Sequence, residues 1–391
     1  MDKLIALVDC DSFFVSCEQA VKPDLAEKPV CVLSNRDGCI VARSKEAKKL
    51  GIKMGMPYFM AKQEFPEAIY LSGNHELYLD ISNKVIAILK DFSPVVDVYS
   101  IDEAFVDFTG LERLYKRNSF EIAKLLRYEI KTKLKMPVSI GLSSTKTLAK
   151  LASDKAKNVD EGVYFIGKGN LENELINTPI EDIWGIGKRL TLKMRQNGIL
   201  TASELVKKSD SFLNNLVGIN GIHLKHELLG EIVSPLTNDA ELPKSIQRTS
   251  ALETFSKDKN YLKNTINYHI HRACVKLRAI NAKTREIGII LKTKDYNIYV
   301  EKEILNKPLD FEFEISSVIF RLFEKIYSPD VIYRSTGIFF DKLVYENVGQ
   351  GFLFSDVEAE EKKAKLAKCF DRLEEKFGKN IIQTGFMKKG I

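Results

Sequence analysis

The chain lacks several features that would decide its class at once. No run of 18 or more apolar residues occurs, so nothing reads as a transmembrane helix. The opening MDKLIALVDCDSFF sets acids inside its apolar segment and has no small-residue cleavage site, so it does not read as a secretory signal. The six cysteines, at 10, 17, 31, 39, 274 and 369, form no CxxC pair. That argues against a zinc site or a disulfide framework and for reduced thiols in a cytoplasmic protein. A strong excess of one charge is also missing, since 59 Lys and Arg stand against 53 Asp and Glu. The net +6 is concentrated, however. From Lys244 to Lys294, twelve Lys or Arg meet only Glu253, Asp258 and Glu286, a net of +9. A local field of that sign suits a polyanion.

The 391 residues are too many for one compact core and predict two to four domains. Hydrophobic content of 45% and charged content of 29% fit a soluble globular protein. KLIALVD (3–9) reads as a buried strand, followed by a helix from Ser12 that ends near Pro23. KPVCVLS (28–34) is a second strand, and CIVARSKEAKKLG a strand running into a basic helix closed by Gly51. In 76–92, Leu77, Ile81, Val85, Ile88 and Leu89 share one helical face. A hairpin at 98–108, a helix at about 119–135, the strand VSIGLS and a basic helix from Lys146 to Lys157 follow. This order predicts a ferredoxin-like sheet with an insertion over 24–74. Short helices fill 170–235, an α+β module spans 246–342, and a charged helix covers about 357–377.

Candidate chemistry lies at the strand ends. Asp9 closes the first strand, and Asp102 and Glu103 form the corner of VYSIDEAFVDF. Adjacent carboxylates in an apolar hairpin repel each other and resist burial. If the two strands are neighbours, three acids converge and require cations. Hard oxygen donors of this kind suit Mg²⁺, and two ions about 4 Å apart clamp the attacking and leaving oxygens of a phosphoryl displacement. The backbone carbonyl of Cys10 is a further candidate ligand. Asp11 is not counted, because the chain turns into a helix there. Taken singly, Asp9 and Asp102 read better as helix or turn caps and Glu103 as a surface residue; it is the three together that point to a metal.

DCDSFF, SIDEAFVDF and GLSSTKTLAKLASDKAK, in this order and spacing, resemble the Y-family lesion-bypass DNA polymerases. SNRDGCIVARSKEAKKLGIKMG resembles the UmuC branch, the catalytic subunit type of DNA polymerase V. The resemblance covers nearly the whole chain. It implies an α+β right-hand polymerase: a ferredoxin-like palm (1–23 and 75–165), fingers (24–74), a helical helix-hairpin-helix thumb (166–235), a linker (236–242), an α/β little finger (243–345) and a tail (346–391). It implies that Asp9, Asp102 and Glu103 are catalytic and hold two Mg²⁺. Because the substrate brings most of that charge, the bare acids are expected to be strained and partly solvated.

The resemblance also assigns a nucleotide pocket. Phe14, five positions after Asp9, stacks under the incoming sugar as the gate, because a rigid ring leaves a 2′-hydroxyl no room and no partner; Phe13 is grouped with it in the pocket, while its place on the helix reads as core. Lys48 and Lys157 align with triphosphate ligands, while Lys45 stands where some members carry tyrosine. Gly38, Cys39, Ile40 and Ala42 cover the template base, and a roof of such modest residues imposes little shape selection. Gly185 and Gly187 with Lys188 look like a hairpin that binds DNA phosphate through backbone N–H groups. Arg248, Lys276, Arg278, Lys292 and Lys294 are expected along primer and template. In the tail, Gln350, Leu353 and Phe354 match the Q-x-x-L-F pattern that docks bacterial polymerases on the sliding clamp. The UmuC type further implies an UmuD-type accessory subunit and a recombinase filament, though no residue here points to either.

The expected function is template-directed, low-fidelity translesion synthesis from dNTPs in the DNA-damage (SOS) response. Two other readings compete. A non-catalytic DNA- or clamp-binding protein would not need Asp9, Asp102, Glu103 and Phe14 intact. A nucleotide cyclase would not need the hairpin glycines, the basic distal module or the clamp motif.

Overall fold

The structure is a computed structural model and describes residues 3–34, 38–238, 242–345 and 357–378. The chain divides into two compact units, Met1–Ala240 and Glu241–Ile391. No helix among the described residues is long and apolar enough to cross a membrane.

The first unit is built on a five-stranded sheet. Its strands are β1 (Ile5–Cys10), β5 (Val96–Val98), β6 (Glu103–Asp107), β7 (Val138–Ser143) and β8 (Val163–Phe165), ordered β5-β6-β1-β7-β8. β1 runs antiparallel to both neighbours, and β7 pairs parallel with β8. Every residue of β1 is buried, so both faces of the strand are covered. Alternation decides what covers each face. Ala6, Val8 and Cys10 join the core formed with the helices His75–Phe92 and Ser119–Leu134. Ile5 and Leu7 pack with Phe105 and with Ala149 of the helix Lys146–Ala156 on the opposite face. The same alternation puts Asp9 on the face of that lysine-rich helix.

The helix lies unusually close to the sheet because β7 carries glycine at the contact. A Cβ added at Gly141 would stand 2.1 Å from the backbone N of Ser153 and 2.2 Å from the carbonyl of Ala149. The 12–72 region leaves the sheet through a helix, Phe13–Val21, into a second sheet ordered β3-β2-β4: β2 (Val30–Leu33), β3 (Ile40–Arg43) and β4 (Ile69–Ser72). Short helices Lys45–Lys49 and Tyr58–Glu64 pack on it through Ala47 and Ala61. Beyond β8, short helices between Leu171 and Leu228 share one core with Leu148 and Leu151. Glu227 is buried there, and its carboxylate accepts from the backbone N–H of Thr147, Val233 and Ser234.

The second unit is an antiparallel sheet ordered β11-β10-β12-β9, from β9 (Ile246–Ser256), β10 (Ala282–Thr293), β11 (Ile298–Leu309) and β12 (Tyr333–Tyr345). Helices Lys259–Ala279 and Glu312–Ile326 supply its core. A further helix, Val357–Phe377, joins them through ion pairs: buried His271 bonds Glu312 at 2.8 Å and Glu374 at 2.9 Å, and Arg278 bonds Asp371.

The contact at Gly141 yields a first prediction. Gly141→Ala forces the helix off the sheet, because the atoms it meets are backbone and cannot rotate away. Urea unfolding is expected to show a loss of about 3 kcal/mol, the upper end for overpacking. A variant within 0.5 kcal/mol of wild type, inside ordinary surface-substitution scatter, would refute the close approach.

Candidate active site

Asp9 and Glu103 stand directly opposite each other in the β1–β6 register. The corner that carries the second acid is tightly bonded. The Cys10 N–H donates to the Asp102 carbonyl at 2.9 Å, and the N–H groups of Tyr99 and Ser100 both donate to the Glu103 carbonyl at 3.1 Å. Cys10 itself ends β1 opposite Val138 of β7.

The acids are not left to solvent. Asp9 is only 5% exposed. Lys157 Nζ sits 2.9 Å from Asp9 Oδ2 and 2.9 Å from Asp154. Lys150 Nζ contacts Glu103 Oε1 and lies 3.5 Å from Asp9 Oδ2. Asp102 and Glu103 are half-buried, in keeping with the expected partly solvated pair, and two ammonium groups from one helix offset the charge of Glu103 and the buried Asp9. Lys157 is the residue that the resemblance assigns to the triphosphate, whereas Lys150 carries no expectation beyond membership of the basic helix Lys146–Lys157. Burial pushes the Glu103 carboxyl up, the hydrogen-bonded Asp9 adds to it and Lys150 opposes both, leaving a pKa of about 7. Burial works against both ammonium groups, yet their acidic partners outweigh it and hold both pKa values above the usual lysine value.

Asp102 is placed differently. Its Oδ1 accepts from the Ser100 hydroxyl, and its N–H donates to Ser100 Oγ at 3.3 Å. Among the described residues, no three His, Cys, Asp or Glu groups stand in a metal-holding arrangement. The structure thus joins Asp9 to Glu103 and leaves the Asp102 carboxylate on its own hydroxyl. Asp11 is engaged elsewhere, its Oδ1 accepting from Ser139 Oγ at 2.8 Å.

The aromatic pair divides in two. Phe13 is buried, whereas Phe14 is half-buried and stacks on Tyr78 at 4.5 Å with planes 19° apart. Tyr78 is held in turn by its hydroxyl, which donates to Glu18 at 3.0 Å. Sequence reasoning missed Tyr78, although its spacing to Ile81 and Val85 marks it as part of the helix's inner face. Lys48 comes from the second sheet's helix and bonds Ser12 Oγ at 3.0 Å, beside the end of β1. Burial and the nearby Arg43 charge lower its pKa. Ala42 is buried in β3, next to Arg43.

Gly187 caps the helix Lys188–Gln196 with no side-chain bond, and Gly185 has a φ of +89° that favours glycine. Lys188 is exposed, as are Lys276 and Lys294 in the second unit. Lys292 lies 4.9 Å over the Tyr296 ring, and Arg248 is half-buried with its Nε unpartnered. Arg278 is engaged within the second unit: its guanidinium makes two bonds to Asp371, at 2.7 and 2.6 Å, and one to the Asp310 carbonyl, and so helps to hold the last described helix. Gln350, Leu353 and Phe354 lie outside the described residues.

With this geometry in place, comparison with known proteins is informative. Residues 8–154 match the impB/mucB/samB family, and residues 243–353 match the C-terminal domain of that family. Protein UmuC of Salmonella typhimurium is 32% identical, over 97% of this chain and 92% of its own. A DNA polymerase IV of Dehalococcoides mccartyi is 31% identical, over 97% and 96%. Among solved structures, a Y-family DNA polymerase chimera of Dbh and Dpo4 is 25% identical with a TM-score of 0.72, covering 88% of this chain and 99% of its own. DinB from Sulfolobus solfataricus has a TM-score of 0.58 at 25% identity, with the same coverage.

The fold is accordingly that of a Y-family DNA polymerase. The chain belongs to the impB/mucB/samB family and is a UmuC-type, DNA-directed DNA polymerase of the translesion class.

The ammonium groups on the acids yield a second prediction. Lys150→Ala removes the cation that holds the Glu103 pKa down, so that pKa should climb further above about 7. Titration of the labelled Glu103 side-chain carboxyl carbon by NMR reads this directly, and an unchanged or lower value contradicts the assigned contact.

Proposed function

We propose that the chain extends a primer 3′-hydroxyl opposite a template base, damaged bases included, by transferring a nucleotidyl group from a dNTP with release of pyrophosphate. The carrying observation is the Asp9–Glu103 pair, opposed across two strands and closed by Lys150 and Lys157. A divalent cation fits this donor set. The donors are hard carboxylate oxygens, and they already draw two positive groups onto themselves in a buried setting, the condition under which acids need cations. Asp9, Asp102, Glu103 and the Cys10 carbonyl would hold two Mg²⁺, which when bound supply charge to the attacking and leaving oxygens.

The chain's own residues do the rest. Lys157 and Lys48 offset triphosphate charge, a contribution that grows as negative charge develops on the leaving group. Phe14, braced by Tyr78, excludes a 2′-hydroxyl by shape. Ala42 and its neighbours roof the template base loosely, which favours tolerance of bulky lesions over accuracy. The N–H groups at Gly185 and Gly187, with Lys188, grip phosphate without reading sequence. Arg248, Lys276, Lys292 and Lys294 add cations of the second unit. Gln350, Leu353 and Phe354 supply the sliding-clamp contact, and an UmuD-type subunit and a recombinase filament are the partners that the UmuC type brings with it. On this reading the work is done in the cytoplasm, in the SOS response that the resemblance to the UmuC type implies.

Single-nucleotide primer extension with Mg²⁺ tests the reading. Wild type should add the templated dNMP, and Asp102→Ala should lose at least about a thousandfold in rate, as expected when transition-state charge goes uncompensated. In the same assay Phe14→Ala should admit ribonucleotides. A wild type that binds primer-template but adds nothing under these conditions means that the chain requires its accessory subunit or that the binding-protein alternative holds, and repeating the assay with that subunit separates the two.

A further inference from the structure

Of the three acids, two are held by ammonium groups and one by a hydroxyl. The difference arises in the Tyr99–Glu103 corner. Ser100 closes that turn with its backbone N–H on the Glu103 carbonyl, and its side chain then does something the turn does not require. The hydroxyl donates to Asp102 Oδ1, while the Asp102 N–H donates back to Ser100 Oγ. An O–H···O⁻ bond of this kind is among the stronger ones a neutral side chain can make. The Asp102 charge bears on the thiols of Cys10 and Cys17. Lys150 and Lys157 direct their ion pairs to Asp9, Glu103 and Asp154 instead. Asp102 thus takes no share of those ammonium groups, and the three acids form no metal-holding cluster among the described residues.

A small cavity, lined by Cys10, Ser82, Ser100, Asp102 and Glu103 and by apolar residues such as Val8, Val85 and Leu89, lies against the corner. Where neighbours leave space, a side-chain torsion is set by its hydrogen bond and not by contacts. The carboxylate has a reason to be held back, since three unneutralised acids at one strand edge repel one another.

We infer that Ser100 is a positioning residue: it latches the Asp102 carboxylate away from Asp9 and Glu103 until a divalent cation arrives. The inference rests on the metal-holding role proposed above for those acids. Loading then exchanges one O–H···O⁻ bond for a cation–carboxylate contact. The hydroxyl keeps its proton, and no covalent bond changes. The latch therefore opposes cation binding by the strength of that one bond, and it spares the cation-free protein the repulsion of a completed triad.

Mn²⁺ binding, read as loss of the free-ion signal in electron paramagnetic resonance, tests this on the full chain bound to primer-template and a non-hydrolysable dNTP analogue. Ser100→Ala should bind Mn²⁺ about tenfold more tightly than wild type, the scale of one charge-assisted hydrogen bond no longer broken on loading. Ser100→Thr, which keeps the hydroxyl, should match wild type. Thermal unfolding adds a second reading: Ser100→Ala should melt lower without cation and, as a purely structural role would not produce, gain more than wild type when Mn²⁺ is added. Equal or weaker Mn²⁺ binding by Ser100→Ala overturns the latch while leaving the metal reading intact. Equal Mn²⁺ binding by wild type and Asp9→Ala overturns the metal reading, and the latch with it.

Discussion

Two carboxylates facing each other across adjacent strands must be neutralised or expelled, and the first unit is arranged to neutralise them. Asp9 and Glu103 are directly opposed, and Asp9 has almost no contact with solvent. Lys150 and Lys157 meet them from a helix that reaches the strand only because Gly141 has no side chain. Each part has meaning through the others. Without the close approach the ammonium groups fall short, and without them the acids cannot remain buried. Glu227, buried where the short helices between Leu171 and Leu228 meet this helix, accepts the Thr147 N–H of its first turn and so fixes the end from which the lysines are counted.

Much of this site could be read from residues alone, and the limit is physical. Asp9, Asp102 and Glu103 were visible because each ends an apolar strand, a local pattern. Lys150 was not separable from Lys146 and Lys155, since a lysine's partner depends on which helix face meets the sheet. In the fold, Lys146 pairs with Asp97 and Lys155 contacts Glu174, so neighbours of identical chemistry serve different acids. Tyr78 was hidden for a similar reason, because its stack with Phe14 joins residues 64 positions apart. The separation of Asp102 from its fellow acids follows from a single hydroxyl, which no spacing rule reveals.

The second unit shows why counting charge along a segment misleads. The stretch from Lys244 to Lys294 carries a net +9, yet several of its cations are already matched in space. Arg272 bonds Glu374, Arg278 bonds Asp371, and Lys259 and Lys263 share Glu324. Those acids lie outside the stretch, two of them on the Val357–Phe377 helix that sequence pattern marked only as charged. What remains to meet a polyanion is a smaller set, Lys276, Lys292 and Lys294 among them. The apparent basic excess is partly the means by which the unit holds its last described helix, with buried His271 bridging two acids at its centre.

The lysine-bearing helix also acts as a ruler. Lys146, Lys150 and Lys157 serve Asp97, the Asp9–Glu103 pair, and Asp9 with Asp154. Their spacing in the site is the helical rise, about 6 Å for the first interval and about 10 Å for the second. Inserting or deleting one residue between them would rotate everything beyond by about 100° and turn a lysine from the acids to the opposite face. The number of residues between these lysines is therefore set by the acids they serve.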